Sequence, residues 1–245
     1  MVRIAHLSDT HLDGGPDRAR RVERLVEEIS TLGDIDLVLV SGDLTDDADP
    51  AEYAQFFDLL SGVPQLQVVP GNHDRRAPLA AHVDPDTNGY FNSVRTVGGL
   101  TVIGLDSLIE SSIGGELAAE SIAFAHETLS ATGGPAILAL HHPPVPVGHE
   151  FMDRNGLLDP ASLADVVHDH GHVAAVLVGH VHSAFAAGFA GRPILGAPGV
   201  VSTMRLGGRL DPIADPSAMP GMAIHTVGPD GSISTVYHYL SPERP

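Results

Sequence analysis

The sequence predicts an α/β fold whose last third closes as shorter strands. Short apolar runs alternate with stretches whose apolar residues recur at helical spacing, the pattern of strand–helix units. After Ser183 the alternation gives way to brief strand-like runs separated by Gly and Pro. Five of the apolar runs, moreover, end in Asp, Asn or His, side chains better suited to coordination and proton transfer than to burial.

"VRIAHL" reads as a first strand, and residues 17–32 follow as a helix with Val22, Leu25, Val26 and Ile29 on one face. "DLVLVSG" is a second strand, and residues 50–60 a helix with Pro50 in its first turn, where a missing N–H costs nothing. "LQVVPG" is a third strand. Residues 90–107 read as a strand, a Gly-Gly turn and a longer buried strand. A helix is expected near Glu116 to Leu129, a strand at "AILALHH", a helix near Pro160 to His168 and a strand at "VAAVLVGH". The runs "AFAAGF", "RPILGA", "MAIHTV" and "SISTVYHY" read as an antiparallel sheet edge. The expected layout is thus two layers of sheet flanked by helices.

No repeat, low-complexity tract or linker interrupts the 245 residues, 43% of them apolar, so a single domain over 1–245 is expected. No apolar run approaches the roughly 18–20 residues that span a bilayer, and "MVRIAHLSDTH" lacks the regions of a signal peptide, so the expected location is the cytoplasm, with no membrane partner. The chain has no cysteine, which removes disulfides, thiolate nucleophiles and Cys-type zinc sites together. Thirteen Lys and Arg stand against 31 Asp and Glu, a formal charge of −18 that opposes binding to nucleic-acid polymers or anionic membranes. Histidine is abundant, at 15.

The polar strand ends are Asp9 and His11; Asp43; Asn72, His73 and Asp74; His141 and His142; and His180 and His182. Ligands of α/β sheets bind in the crevice beyond the carboxyl ends of the strands, so these residues are expected to converge although far apart in sequence. Each block alone is commonly a capped turn or a solvated His. Five in one order, each at a strand end and each metal-competent, are not what independent turns would produce.

"DTH", "GDLTD", "GNHD", "HHPP" and "GHVH" match in order the five signature blocks of the calcineurin-like metallophosphoesterases, and over about residues 4–200 the layout is similar to the class III cyclic nucleotide phosphodiesterases and their glycerophosphodiesterase relatives. That resemblance implies a four-layer α-β-β-α sandwich of two mixed sheets flanked by helices. It also implies two divalent or trivalent metal ions, one held by Asp9, His11 and His182, the other by Asn72, His141 and His180, with Asp43 bridging. His141 is preferred to His142 because the family ligand precedes Pro by two positions; His142 then either supports the site from outside or is a packed strand end. Imidazole, carboxylate and amide donors suit Mn, Fe, Zn or Co. Two such ions about 3.5–4 Å apart activate a hydroxide and clamp phosphoryl oxygens, the chemistry of phosphodiester cleavage.

The expected substrate is a cyclic nucleotide or another small diester, with a phosphomonoesterase, a protein phosphatase or a non-catalytic metal-binding regulator as the alternatives. His73 is expected on the substrate side as electrophile or general acid, with Asp74 either orienting it or closing a turn. Arg75 and Arg76 could contact phosphate, His149, Glu150 and Asp153 could line a rim loop, and His168, His170 and His172 are expected to be solvated. Residues 202–221, rich in Gly and Pro, are expected to form a flap or a dimer contact, which would make the chain a homodimer.

Overall fold

The computed structural model describes residues 1–205 and 213–241, and over these the chain folds as four layers, helix on sheet on sheet on helix. The elements are β1 (Val2–Leu7), α1 (Pro16–Leu32), β2 (Leu37–Ser41), α2 (Pro50–Leu59), β3 (Leu66–Val69), α3 (Arg76–Leu79), β4 (Ser93–Val97) and β5 (Leu100–Gly104). They continue with α4 (Ala119–Ala131), β6 (Ala136–Ala139), α5 (Glu150–Arg154), α6 (Pro160–Asp169), β7 (Val173–Val178), β8 (Phe185–Phe189), β9 (Arg192–Gly196), β10 (Thr203–Met204), β11 (Ala214–Asp215), β12 (Gly221–Val227) and β13 (Ile233–Tyr239).

One sheet has the order β13-β12-β1-β2-β3 and the other β4-β5-β6-β7-β9-β8. Strands β1, β2 and β3 run parallel, as do β5, β6, β7 and β9; helices on the outer faces link β1 to β2, β2 to β3, β5 to β6 and β6 to β7, whereas β8 lies between β7 and β9 in the chain. The late strands do not form one antiparallel edge, as the Gly and Pro punctuation suggested. Instead β9 runs parallel to β7 with β8 folded back on it, while β12 and β13 cross to the other sheet and pair antiparallel beside β1. Local turn signals specify hairpins but not which sheet receives them.

Helix α1 begins at Pro16 and ends at Gly33, whose φ of 70° is the left-handed cap that glycine adopts without strain. It buries Val22, Leu25 and Ile29 against Val38 and Val40 of the first sheet. Helix α2 is started by Asp49, which accepts from the Ala51 amide while Glu52 accepts from the Asp49 amide, a reciprocal cap worth about 1 kcal/mol. On the opposite face α4 and α6 bury Leu129, Leu163 and Val166 against Leu138 and Val176. Between the sheets Ile4, Leu39, Ile137 and Leu177 form an apolar layer.

That inter-sheet layer carries one polar row. His225 meets Thr235 through Nδ1 (2.8 Å) and His6 through Nε2 (3.1 Å), and His6 meets Ser41 through its other nitrogen (2.8 Å). Every polar atom of the two rings is therefore paired with both rings neutral, and burial holds each His below its usual range, His225 at about 3, with the His225 charge adding to the effect on His6. The unfolded chain binds protons near pH 6.5 that the fold refuses, so the stability these rings leave intact at pH 7.5 is lost as pH falls through 6.5. Urea unfolding is expected to show a loss of about 2–3 kcal/mol between pH 7.5 and 5.5 from this pair, reduced by about 1 kcal/mol in His225→Gln. An unchanged pH slope in that variant would contradict it.

Two predicted features are corrected, and a third lies partly outside the described residues. The 147–160 segment carries the short helix α5 inside the expected loop. His170 is half-buried against His126, with Nε2 3.0 Å from that ring's Nδ1, rather than solvated. Part of the expected flap, residues 206–212, lies outside the described residues, while 203–204 and 214–215 pair as a two-stranded ribbon.

Candidate metal centre

Each polar strand end lies at the carboxyl edge of the paired sheets, and backbone bonds tie the loops together there. The amides of Asp9, His11 and Leu12 donate to the carbonyls of Gly42, Asp43 and Leu44, so the loop after β1 lies along the loop after β2. Gly179 donates to the His141 carbonyl, and Val200 to that of Ser8. The approach is close enough that a Cβ at Gly42 would enter the His141 ring and one at Gly71 would strike Asp43.

Strain concentrates on these residues. Asp9, His11, Asp43, His180 and His182 all have positive φ, between 40° and 69°, a region costing non-glycine residues of order 1 kcal/mol or more each. Such conformations persist where the surroundings over-determine them, and here they turn the side chains inward.

The inward atoms are almost all acceptors. His11 uses Nδ1 on the Asp46 carboxylate (3.0 Å) and His141 uses Nδ1 on the Ser41 carbonyl (2.7 Å), which places their protons on the outer nitrogens and bare lone pairs on Nε2. His11 Nε2 faces His182 Nε2 at 3.2 Å and Asp43 Oδ2 at 3.4 Å; His141 Nε2 faces the same carboxylate oxygen at 3.4 Å and Asn72 Oδ1 at 3.2 Å. His180 Nδ1 lies 3.0 Å from Asn72 Oδ1, and His182 Nε2 lies 3.4 Å from Asp9 Oδ1. Both carboxylate oxygens of Asp9 are buried without a hydrogen-bond partner. Lone pairs converging on lone pairs, with an unpaired carboxylate beside them, call for cations.

The titration behaviour agrees. Burial raises Asp9 to about 6, reinforced by the neighbouring Asp43 charge. Burial also pushes Asp43 upward, yet the imidazoles of His141, His11 and His73 outweigh it and hold this carboxylate well below its usual range. His141 rises to about 9 because Asp43 and Asp9 outweigh its own burial, whereas burial lowers His180 to about 3 and His182 to about 4. The opposed shifts of Asp43 and His141 mark that pair as the electrostatic centre of the cluster. Asp9, His11, Asp43 and His182 form one group whose ligand atoms lie within 4.8 Å of one another, and His141, His142 and His180 form a second.

The choice between His141 and His142 turns on what their nitrogens do. His142 spends both: Nε2–H donates to the Ile113 carbonyl (3.1 Å), and Nδ1 accepts from the Ser107 hydroxyl (2.8 Å). Only His141 presents a free nitrogen to the cluster.

His73 stands at the margin, its side chain 41% exposed, with Nδ1–H donating to the Asp46 carbonyl at 2.7 Å. Nε2 is left for a substrate. The expectation that Asp74 orients this ring is not met. The Asp74 carboxylate is fully buried on the far side, where it accepts from the amides of Gly71 and Leu44 and from the hydroxyls of Thr45 and Tyr53. Burial raises it to about 6. It braces the turn that carries Asn72 and His73, which accords with the turn-closing alternative.

Arg75 reaches the carbonyls of Asn72 and Asp74, and Arg76 forms a two-pronged pair with buried Asp106, so both guanidinium groups hold loops in place. His149 is buried at the start of α5, where its Nδ1 accepts from the Met152 amide, and Glu150 pairs with Arg154. Two contributors went unread in the sequence. Asp46, three residues after Asp43, joins His11, Arg18 and His73, and its carboxylate is pulled below its usual range first by the His11 hydrogen bond. Ser202 engages His182 Nδ1 at 2.7 Å. Asp46 was visible as the last letter of "GDLTD"; nothing marked Ser202.

Comparison with known proteins gives the same picture. The chain is 30% identical over 98% of its length to a probable cyclic nucleotide phosphodiesterase of Synechococcus, covering 92% of that protein. It is 32% identical, again over 98% of its length, to a cAMP/cGMP dual specificity phosphodiesterase of Mycobacterium tuberculosis, covering 83%. A dimetal phosphatase from Danio rerio superposes with a TM-score of 0.71 over 91% of this chain and 92% of that one at 12% identity, a likeness of fold. Residues 2–184 match the family described as Calcineurin-like phosphoesterase, and the chain belongs to it.

Proposed function

We propose that this metallophosphoesterase is a dinuclear metal-dependent phosphodiesterase acting on small diesters, cyclic nucleotides first among them. One observation carries the reading: ligand atoms of Asp9, His11, His182, Asn72, His141 and His180 converge around Asp43, each within 3.0–3.4 Å of another member. In this reading Asp9, His11 and His182 hold one ion, Asn72, His141 and His180 the other, and Asp43 both. Nitrogen and oxygen donors without thiolate suit Mn, Fe, Zn or Co. When bound, two such ions activate water and neutralise charge on the phosphoryl oxygens.

The protein's own groups do the rest. Asp46, Ser41 and Ser202 fix the outer nitrogens of His11, His141 and His182, so that each ring is already oriented. His73, with Nδ1–H committed to the Asp46 carbonyl, presents Nε2 to the phosphate and, when protonated there, delivers a proton to the departing oxygen. The strained backbone at the site keeps this geometry before substrate arrives. The relatives' named substrates and the −18 charge favour a small diester over a nucleic-acid polymer. Among the described residues no helix is long and apolar enough to cross a membrane, and cyclic nucleotides as substrates would place the chain in the cytoplasm.

The test compares bis(p-nitrophenyl) phosphate with p-nitrophenyl phosphate, using protein stripped of metal and then supplied with Mn²⁺. Metal-dependent turnover that favours the diester is expected. A preference for the monoester would turn the assignment to a phosphatase, and no metal-dependent turnover of either would leave a binding role.

A further inference from the structure

Beside His73 opens a cavity of about 360 Å³, within the range of small-molecule sites. Asp46, Asp47, Asn72, His73 and Arg75 border it on one side, and the turn Ser111–Ile113 on the other. This wall belongs to none of the five signature blocks, yet it is held as firmly as they are. Its base is moored by Asp106, whose carboxylate takes the Leu108 amide and the Arg76 guanidinium. Its far end is moored where Gly115 donates to the Gly156 carbonyl and Glu116 to that of Ser107.

The tip itself is clamped by His142. The buried ring gives Nε2–H to the Ile113 carbonyl and accepts the Ser107 hydroxyl on Nδ1, so one neutral tautomer ties both ends of the loop to the residue next to His141. A side chain at Gly115 would collide with that ring. Ser111 is held at φ 69°, a conformation that non-glycine residues adopt where the surroundings impose it. Ile113 is left 45% exposed, one of few large apolar side chains in that state among the described residues.

Resting on the reading above, we propose that the Ser111–Ile113 turn, positioned by His142, is the specificity wall of the site: it receives the organic half of the diester. The chemistry of the cavity defines that half. Asp47 and the two serine hydroxyls accept from or donate to hydroxyl groups; the Arg75 guanidinium on the same rim is held on the Asn72 and Asp74 carbonyls, and a second phosphate or carboxylate would face the Asp46 and Asp47 carboxylates. Ile113 supplies an apolar surface for a flat ring. The fitting group is uncharged, hydroxylated and partly apolar, as a nucleoside is.

The experiment measures kcat/KM for cyclic AMP and for methyl p-nitrophenyl phosphate, a diester with the same charge and no nucleoside, in the parent, I113D and I113A. Because both substrates carry one negative charge, their ratio cancels the charge that I113D introduces. The ratio of cyclic AMP to the small diester is expected to fall by at least about tenfold in I113D and by a smaller factor in I113A. A ratio within roughly twofold of the parent in both variants would overturn the proposal. The small diester separates the two ideas: if the parent hydrolyses it only with metal while the ratio stays fixed, the specificity wall fails and the phosphodiesterase reading stands. No metal-dependent turnover of either substrate by the parent would fail both.

Discussion

Asparagine in place of Asp43 is expected to lower metal-dependent diester turnover by at least about a thousandfold, the loss of roughly 4 kcal/mol of transition-state stabilisation. Asp43 is the one carboxylate within 3.4 Å of imidazoles from both halves of the cluster, His11 and His141, so its charge has no substitute. A variant that retained a tenth of parental turnover would sink the bridging assignment. The companion substitution Asp9→Asn should have the opposite effect on folding. The Asp9 carboxylate is buried with both oxygens unpaired, and its pKa is raised to about 6, so its ionised form opposes the metal-free fold. For an acid shifted upward, stability falls as pH rises from near 4 to about 6 and stays reduced above. In chelator at pH 8, Asp9→Asn is therefore expected to be more stable than the parent by on the order of 2 kcal/mol, while losing the gain in melting temperature that added Mn²⁺ gives the parent. Equal melting with and without Asp9 in chelator would show that the carboxylate is neutralised from within the protein. Function and stability are thus set against each other at one residue.

His73→Asn is expected to cost about 10²–10⁴-fold on cyclic AMP, the usual contribution of a positioned general acid. The decisive feature is how the loss depends on the leaving group. A ribose alkoxide needs a proton as it departs, whereas p-nitrophenolate is stable without one, so the deficit should shrink markedly with bis(p-nitrophenyl) phosphate. Equal losses on both substrates would make His73 a phosphate-binding electrophile and not a proton donor. Its geometry suits the donor role, since Nδ1–H is fixed on the Asp46 carbonyl and the ring is open to solvent where Asp9, His11, Asp43, His141 and His180 are buried.

Most of this site was legible in the sequence because strand ends are legible. An apolar run that stops at Asp, His or Asn announces both the end of a strand and the polarity of what lies beyond it, and the parallel strands β1, β2, β3, β6 and β7 bring those ends to one edge. Other features were not legible, for identifiable reasons. For Asp74 the sequence left open whether it orients His73 or closes the turn; neighbouring side chains in a turn diverge, and its carboxylate serves the amides of Gly71 and Leu44. The helices α3 and α5 have four and five residues, too few to display a periodicity. The clamp from His142 to Ile113 spans 29 positions and ends on a carbonyl, which carries no sequence signal. The parallel pairing of β9 with β7 depends on which sheet has room for another strand.

The two sheets contribute unequal shares of the cluster at unequal times. Asp9, His11, Asp43 and Asn72 close strands of the first sheet; His141, His180 and His182 close strands of the second. A ribosome therefore releases four of the donors long before the remaining three, and until His141 emerges no donor of the second sheet faces Asp43. The first sheet is itself incomplete at that stage, because β12 and β13 return to it from the end of the chain. A polypeptide cut short before β7 would carry most of the recognisable motif and still lack His180 and His182, so the cluster is complete only when both sheets are.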